Sequence, residues 1–264
     1  MNLPVKSLSE KDNNALKEAK QLLENPGIAI KLSTMIGNPI QKGLEMLPEN
    51  WNQKLTEVTK SSLLKAADVA IFTMKDVKEE KTTNIFHKIA AGATGTLGGL
   101  FGIAGLAIEL PVTTTIILRS IADIARSHGE SINDTNTKLA CLEVFALGGN
   151  SIEDDNLESS YYVTKTFLSN SMAQASKYVT EQGVAKEGAP IFLTIISKIA
   201  ERFGVQVTEK SIAQSIPIVG AAGGALINTL FISHFQDMAK GHFIVRKLER
   251  KYGSELVKNT YLTL

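Results

Sequence analysis

The apolar positions of this chain recur with a helical rather than a strand period over most of its length. Leu16, Ala19 and Leu23 fall at i, i+3 and i+7 before Pro26 and Gly27 break the pattern. Pro48 can open a helix that carries Trp51, Leu55, Val58, Ser62, Ala66 and Val69. Asp134 suits an N-cap ahead of Leu139, Leu142 and Phe145, and Gly148-Gly149 suits a left-handed C-cap. Two further helices align Tyr161, Leu168, Met172, Ala175 and Val179, then Phe192, Ile195, Ile196, Ile199 and Phe203. Residues 227–251 read as one continuous helix, whereas the charged stretch 75–83 and the acidic stretch 150–156 read as exposed connections. The β-branched run 112–117 is the best strand candidate. Its apolar pattern continues helically through Ile121 and Ile124, so a helix is expected there, with Pro111 at its first position. The pattern predicts an all-α fold with one domain over residues 1–264. An N-terminal helix within residues 1–27 can lie at its periphery.

Two apolar segments, residues 89–118 and 211–235, are rich in glycine. Gly95 and Gly99, Gly98 and Gly102, and Gly220 and Gly224 are each four apart. On a helix that spacing makes a smooth groove where another backbone can approach closely. Glycine costs about 1 kcal/mol per helical residue relative to alanine, so the run needs an offsetting role in packing or at a membrane. Both segments are therefore expected to be helical, centrally packed, and closely met by a neighbouring helix. Each exceeds the roughly 20 residues that span hydrocarbon. Simple spanning is not favoured, because Glu109 would cost about 2.5–3.5 kcal/mol at a bilayer centre and basic residues flank the first run on both sides.

Composition narrows the function classes. Lys and Arg total 28 against 27 for Asp and Glu, which argues against a nucleic-acid binder. The single cysteine, Cys141, cannot form an internal disulfide and fits a reducing compartment. The first residues lack the charged and apolar regions of a signal peptide, so a cytoplasmic location, peripheral at the membrane, is expected.

Four motifs then carry a resemblance. GLFGIAGLAIELPVTTTIILRSIADIAR at 99–126, CLEVFALGG at 141–149, IPIVGAAGGALIN at 216–228 and HFIVRKLE at 242–249 follow in order. The chain resembles the EcsC protein family, which is mostly bacterial. The resemblance implies one domain and supplies no catalytic residues to carry over.

Polar residues inside these motifs are the candidates for chemistry. Arg119, Asp123, Arg126 and Glu130 share one helical face, opposite Ile117, Leu118, Ile121, Ile124 and Ala125. They suit either an anion clamp or an ordinary ion-pair ladder. Glu109 can pair with Arg119, sit at a helix N-terminus, or act as an acid or base of raised pKa. Asn228 and His234 complete the set of candidate ligand or lipid contacts. His234, Asp237 and His242 do not share one face, no zinc signature is present, and no metal or cofactor is expected. Serine-elbow, Walker and dinucleotide fingerprints are absent as well. The basic stretch Lys240, His242, Arg246, Lys247, Arg250 and Lys251 can hold the chain to an anionic leaflet.

The expected function is a non-enzymatic, membrane-associated module that binds lipid or an integral membrane protein through its glycine-rich segments. The alternatives are a soluble interaction protein with those segments as core, or a hydrolase using the Glu109, Arg119 and Asp123 region.

Overall fold

A computed structural model describes residues 7–24, 49–67, 102–148, 159–182, 190–215 and 220–264. All regular structure among the described residues is helical. The order is α1 (Glu10–Leu23), α2 (Trp51–Ala66), α3 (Gly102–Ser127), α4 (Thr135–Glu143) with a 3-10 turn (Val144–Ala146), α5 (Ser160–Gln182), α6 (Pro190–Ser215), α7 (Gly220–Tyr252) and α8 (Ser254–Thr263). The fold is all-α, as the periodicity predicts. The charged stretch 75–83 and the acidic stretch 150–156 lie outside the described residues.

Local chemistry explains the ends. Ser9 and Asp134 cap α1 and α4 by accepting the amides of Asp12 and Thr137, at 3.3 and 3.0 Å. After α4 the chain leaves through Gly148 at φ 73°, the left-handed conformation expected there. α3 departs from expectation, because Pro111 lies inside it rather than at its start. The helix runs on because both flanks are buried, through Leu106 and Leu110 before it and Ile116, Ile117 and Leu118 after it. The three threonines that follow turn their hydroxyls back onto their own helix. Thr114 donates to the Leu110 carbonyl at 2.7 Å and Thr115 to the Pro111 carbonyl at 2.8 Å.

α7 is the axis of the domain, and α1, α3, α6 and α8 all lie against it. Phe145 of the 3-10 turn, Phe203 of α6, and Phe231 and Phe235 of α7 form the centre, with ring centroids 4.9–5.4 Å apart for the contacts that Phe145 and Phe235 make. Fully burying each such side chain is worth about 1.5–3 kcal/mol. The apolar parts of both glycine-rich segments contribute here, through Leu106, Leu110 and Ile117 on α3 and Ile227 and Phe231 on α7.

Of the six glycines expected to form a groove, only Gly224 has described surroundings. Gly95, Gly98 and Gly99 lie outside the described residues, and Gly102 and Gly220 open α3 and α7. A Cβ added at Gly224 would meet no described atom within 4 Å. No described helix closes on this glycine. Close approach occurs instead at Gly241, where an added Cβ would stand 2.6 Å from Leu23 Cγ and 3.1 Å from the Ala19 carbonyl oxygen. That contact seats α1 on α7 through Leu16, Ala19 and Leu23, all buried. α1 thus contributes one buried face to the core.

Candidate functional site

Leu106 and Leu110 fix the inward face of α3, which leaves Glu109 at its edge against α6. Lys210, fully buried on α6, places Nζ 2.7 Å from Glu109 Oε1. The same oxygen accepts the Thr113 hydroxyl at 2.5 Å, and the Lys210 ammonium lies 4.8 Å from the Phe231 ring centroid. Burial alone would raise the Glu109 pKa, but Lys210 and Thr113 outweigh it and hold the carboxyl below its ordinary value. Of the roles open to Glu109, this arrangement favours an ionised structural partner over an acid or base of raised pKa. One turn further along α6, Gln214 donates to Asn228 Oδ1 at 3.3 Å, so Asn228 serves the α6–α7 seam.

The other α3 candidates stand apart from this pair. Asp123 and Arg126 form an ion pair along the helix. Arg119 is half-buried, as its place after an apolar stretch suggests, with Nε shut off from solvent. Among the described residues it forms neither of the expected pairs. Glu109 lies ten residues away, about 15 Å along the axis, and is engaged by Lys210, while Asp123 turns to Arg126. Glu130 has left the helix and meets α7 instead of extending the ladder.

His234 is buried under the backbone of Gly148, where an added Cβ would stand 2.6 Å from the imidazole ring. It is a core residue and offers no surface for a ligand. Among the described residues no three His, Cys, Asp or Glu side chains gather as metal ligands do.

A second polar cluster joins α4, α5 and α7. Glu143, Tyr161 and His242 are all buried, with the Tyr161 hydroxyl 3.1 Å from His242 Nδ1 and Glu143 Oε2 3.8 Å from His242 Nε2. Burial pushes the Glu143 carboxyl up to about 7, against the nearby Lys165 and Arg246. Burial, with Arg246 and Lys165 adding to it, holds His242 well below its ordinary value, so the imidazole is neutral. Lys165 closes the cluster on Glu249 at 2.6 and 2.7 Å. No sequence pattern marks this group, since its members come from three helices far apart in the chain.

The family match coincides with this architecture. A model of the EcsC protein family matches residues 10–248, from the first residue of α1 to the last turns of α7. The chain belongs to the EcsC protein family. No curated protein and no solved structure matches it.

The basic stretch of this EcsC-family chain is less available than its sequence suggests. Lys240 pairs with Glu18 at 2.5 Å and Lys251 with Asp12 at 2.6 Å, which ties α7 to α1. Arg246 and Arg250 both engage Glu130. His242 is buried and neutral, which leaves exposed Lys247 without an ion pair among the described residues.

Proposed function

We propose that this chain is a non-enzymatic, membrane-associated helical module that binds lipid or an integral membrane partner from the cytoplasmic side. The observation that carries the reading is an apolar edge on α3. Ile108 is 64% and Val112 52% exposed, one turn apart on the same face, inside the first glycine-rich segment and just past its last glycine. Large apolar side chains presented together mark contact surfaces more often than isolated ones do. α3 is long and apolar enough over Gly105–Ser127 to cross a membrane, yet 61% of its apolar window is buried inside the domain. That burial favours contact along an edge over spanning.

The hydrolase alternative has less support. Glu109 is engaged by Lys210 and Asp123 by Arg126, so the three groups do not converge on one reacting position. The soluble interaction protein remains the second reading, favoured by the same burial of α3. Flotation of detergent-free protein with vesicles separates the two. Co-flotation that falls on Ile108→Ser with Val112→Ser supports the membrane reading. A folded sample that stays at the bottom of the gradient at low salt overturns it and leaves the soluble partner.

A further inference from the structure

We propose that Arg119 is the headgroup-binding residue of the α3 edge, taking the phosphate of an anionic phospholipid while Ile108 and Val112 enter its acyl region. The proposal rests on the membrane reading above and deepens it.

Ile108, Val112, Thr115 and Arg119 follow one another at steps of four, three and four, so they form a single stripe along α3. The stripe changes character along its length. Ile108 and Val112 are exposed hydrocarbon. Thr115 donates its hydroxyl to the Pro111 carbonyl at 2.8 Å, which leaves no free donor between Val112 and Arg119. Arg119 then closes the stripe with a half-buried guanidinium. Its Nε is removed from solvent and has no acceptor among the described residues.

Among the described residues Arg119 has no carboxylate partner. Lys165, Lys210, Lys240, Arg126, Arg246, Arg250 and Lys251 each have a carboxylate partner. A half-buried guanidinium without a carboxylate partner favours an anion, and its planar fork matches a phosphate with two parallel hydrogen bonds.

Lengths agree with the assignment. At 1.5 Å per residue, Val112 and Ile108 lie about 10 and 16 Å along the axis from Arg119. Each headgroup layer of a bilayer is about 5–7 Å deep. A steeply inclined α3 with Arg119 at the phosphates therefore carries both apolar side chains into hydrocarbon. The buried Glu109–Lys210 pair neutralises the one other charge on this part of the helix.

The test is partition of the full chain onto vesicles of phosphatidylcholine, with and without phosphatidylglycerol, at low salt. Arg119→Gln is expected to bind the anionic vesicles about five-fold more weakly, with binding to neutral vesicles unchanged. Arg119→Lys, which keeps the charge and loses the fork, is expected to fall between Arg119→Gln and the parent chain. It also carries the test if the glutamine variant fails to fold. Lys247→Gln removes the same charge elsewhere and is expected to bind as the parent does. If Arg119→Gln partitions like the parent, or Lys247→Gln loses as much, the assignment is overturned while the parent's own flotation keeps the membrane reading. Absence of parent binding to both vesicle types overturns both.

Discussion

Glu109 and Lys210 meet across the α3–α6 interface at 2.7 Å, and their burial is unequal, with the lysine side chain fully enclosed and the carboxylate 21% exposed. The asymmetry decides which half of the pair the fold can spare. An ammonium left alone in the core has no route to water, whereas a carboxylate at the edge keeps one. Breaking a buried pair costs about 3–5 kcal/mol. Glu109→Gln is expected at the upper end of that range and Lys210→Met at or below the lower end. The double variant should recover part of the loss, because it buries no unpaired charge. Denaturant unfolding of the three variants checks the order. Equal costs for both single changes would show that the pair is solvated.

Glycines supply a second contrast. Gly241→Ala would drive a methyl group into Leu23 and the Ala19 carbonyl, and a loss of about 1–3 kcal/mol is expected. Gly224→Ala meets open space on a helix and should gain roughly 0.5–1 kcal/mol from propensity alone. Melting temperatures moving in opposite directions would place the close helix crossing at α1–α7. Two equal losses would return it to the glycine-rich segment.

Much of this fold was legible in the order of its residues. Leu16, Ala19 and Leu23 do form a buried face, Asp134 does cap α4, and Gly148 does take the left-handed conformation. These features are set by neighbours within a turn or two. Pro111 lies inside α3 rather than at its start because helix continuity across a proline depends on the tertiary burial of both flanks, which no local signal carries. The site was less legible for the same reason. The partner of Glu109 lies 101 residues away. Its charge invites pairing, but nothing in the spacing singles out Lys210 over Arg119. Gly241 stands alone in a charged stretch, outside the runs where glycine spacing draws notice.

The Glu143–His242 pair makes stability depend on pH in a definite shape. The folded carboxyl is raised from 4.5 to about 7, so its contribution is full below 4.5 and is lost as pH rises through 7. The folded imidazole lies well below 6.5, so its contribution is full above 6.5 and is lost as pH falls. Between the two reference values the proton taken up by one group offsets that released by the other, and a plateau results. Above it stability should fall. Glu143→Gln mimics the protonated acid, and it should be more stable than the parent by roughly 3 kcal/mol at about pH 8 than at pH 4.5. Parallel unfolding profiles for the two proteins would remove the carboxyl from this role.

Glu130 poses the last test, because one carboxylate serves two arginines of unequal exposure. It accepts Arg246 Nε and the Thr137 hydroxyl, each at 3.0 Å, and also engages Arg250. These partners hold its pKa below the ordinary value even though burial acts to raise it. The Arg246 side chain is 24% exposed and the Arg250 side chain 44%, so only the former depends on Glu130 for compensation. Arg250→Gln should cost less than about 1 kcal/mol, as exposed pairs do. Glu130→Gln should cost about 2–3 kcal/mol, since it leaves the more buried guanidinium uncompensated. The sign with pH is opposite to that of Glu143. A lowered folded pKa gives stability that is present above 4.5 and lost as pH falls through the folded value. The Glu130→Gln penalty should therefore shrink in acid, while the Arg250→Gln penalty stays small throughout. Urea unfolding at neutral pH and near pH 3 measures both, and a Glu130→Gln penalty unchanged in acid would show that Arg246 does not rely on the ionised carboxylate.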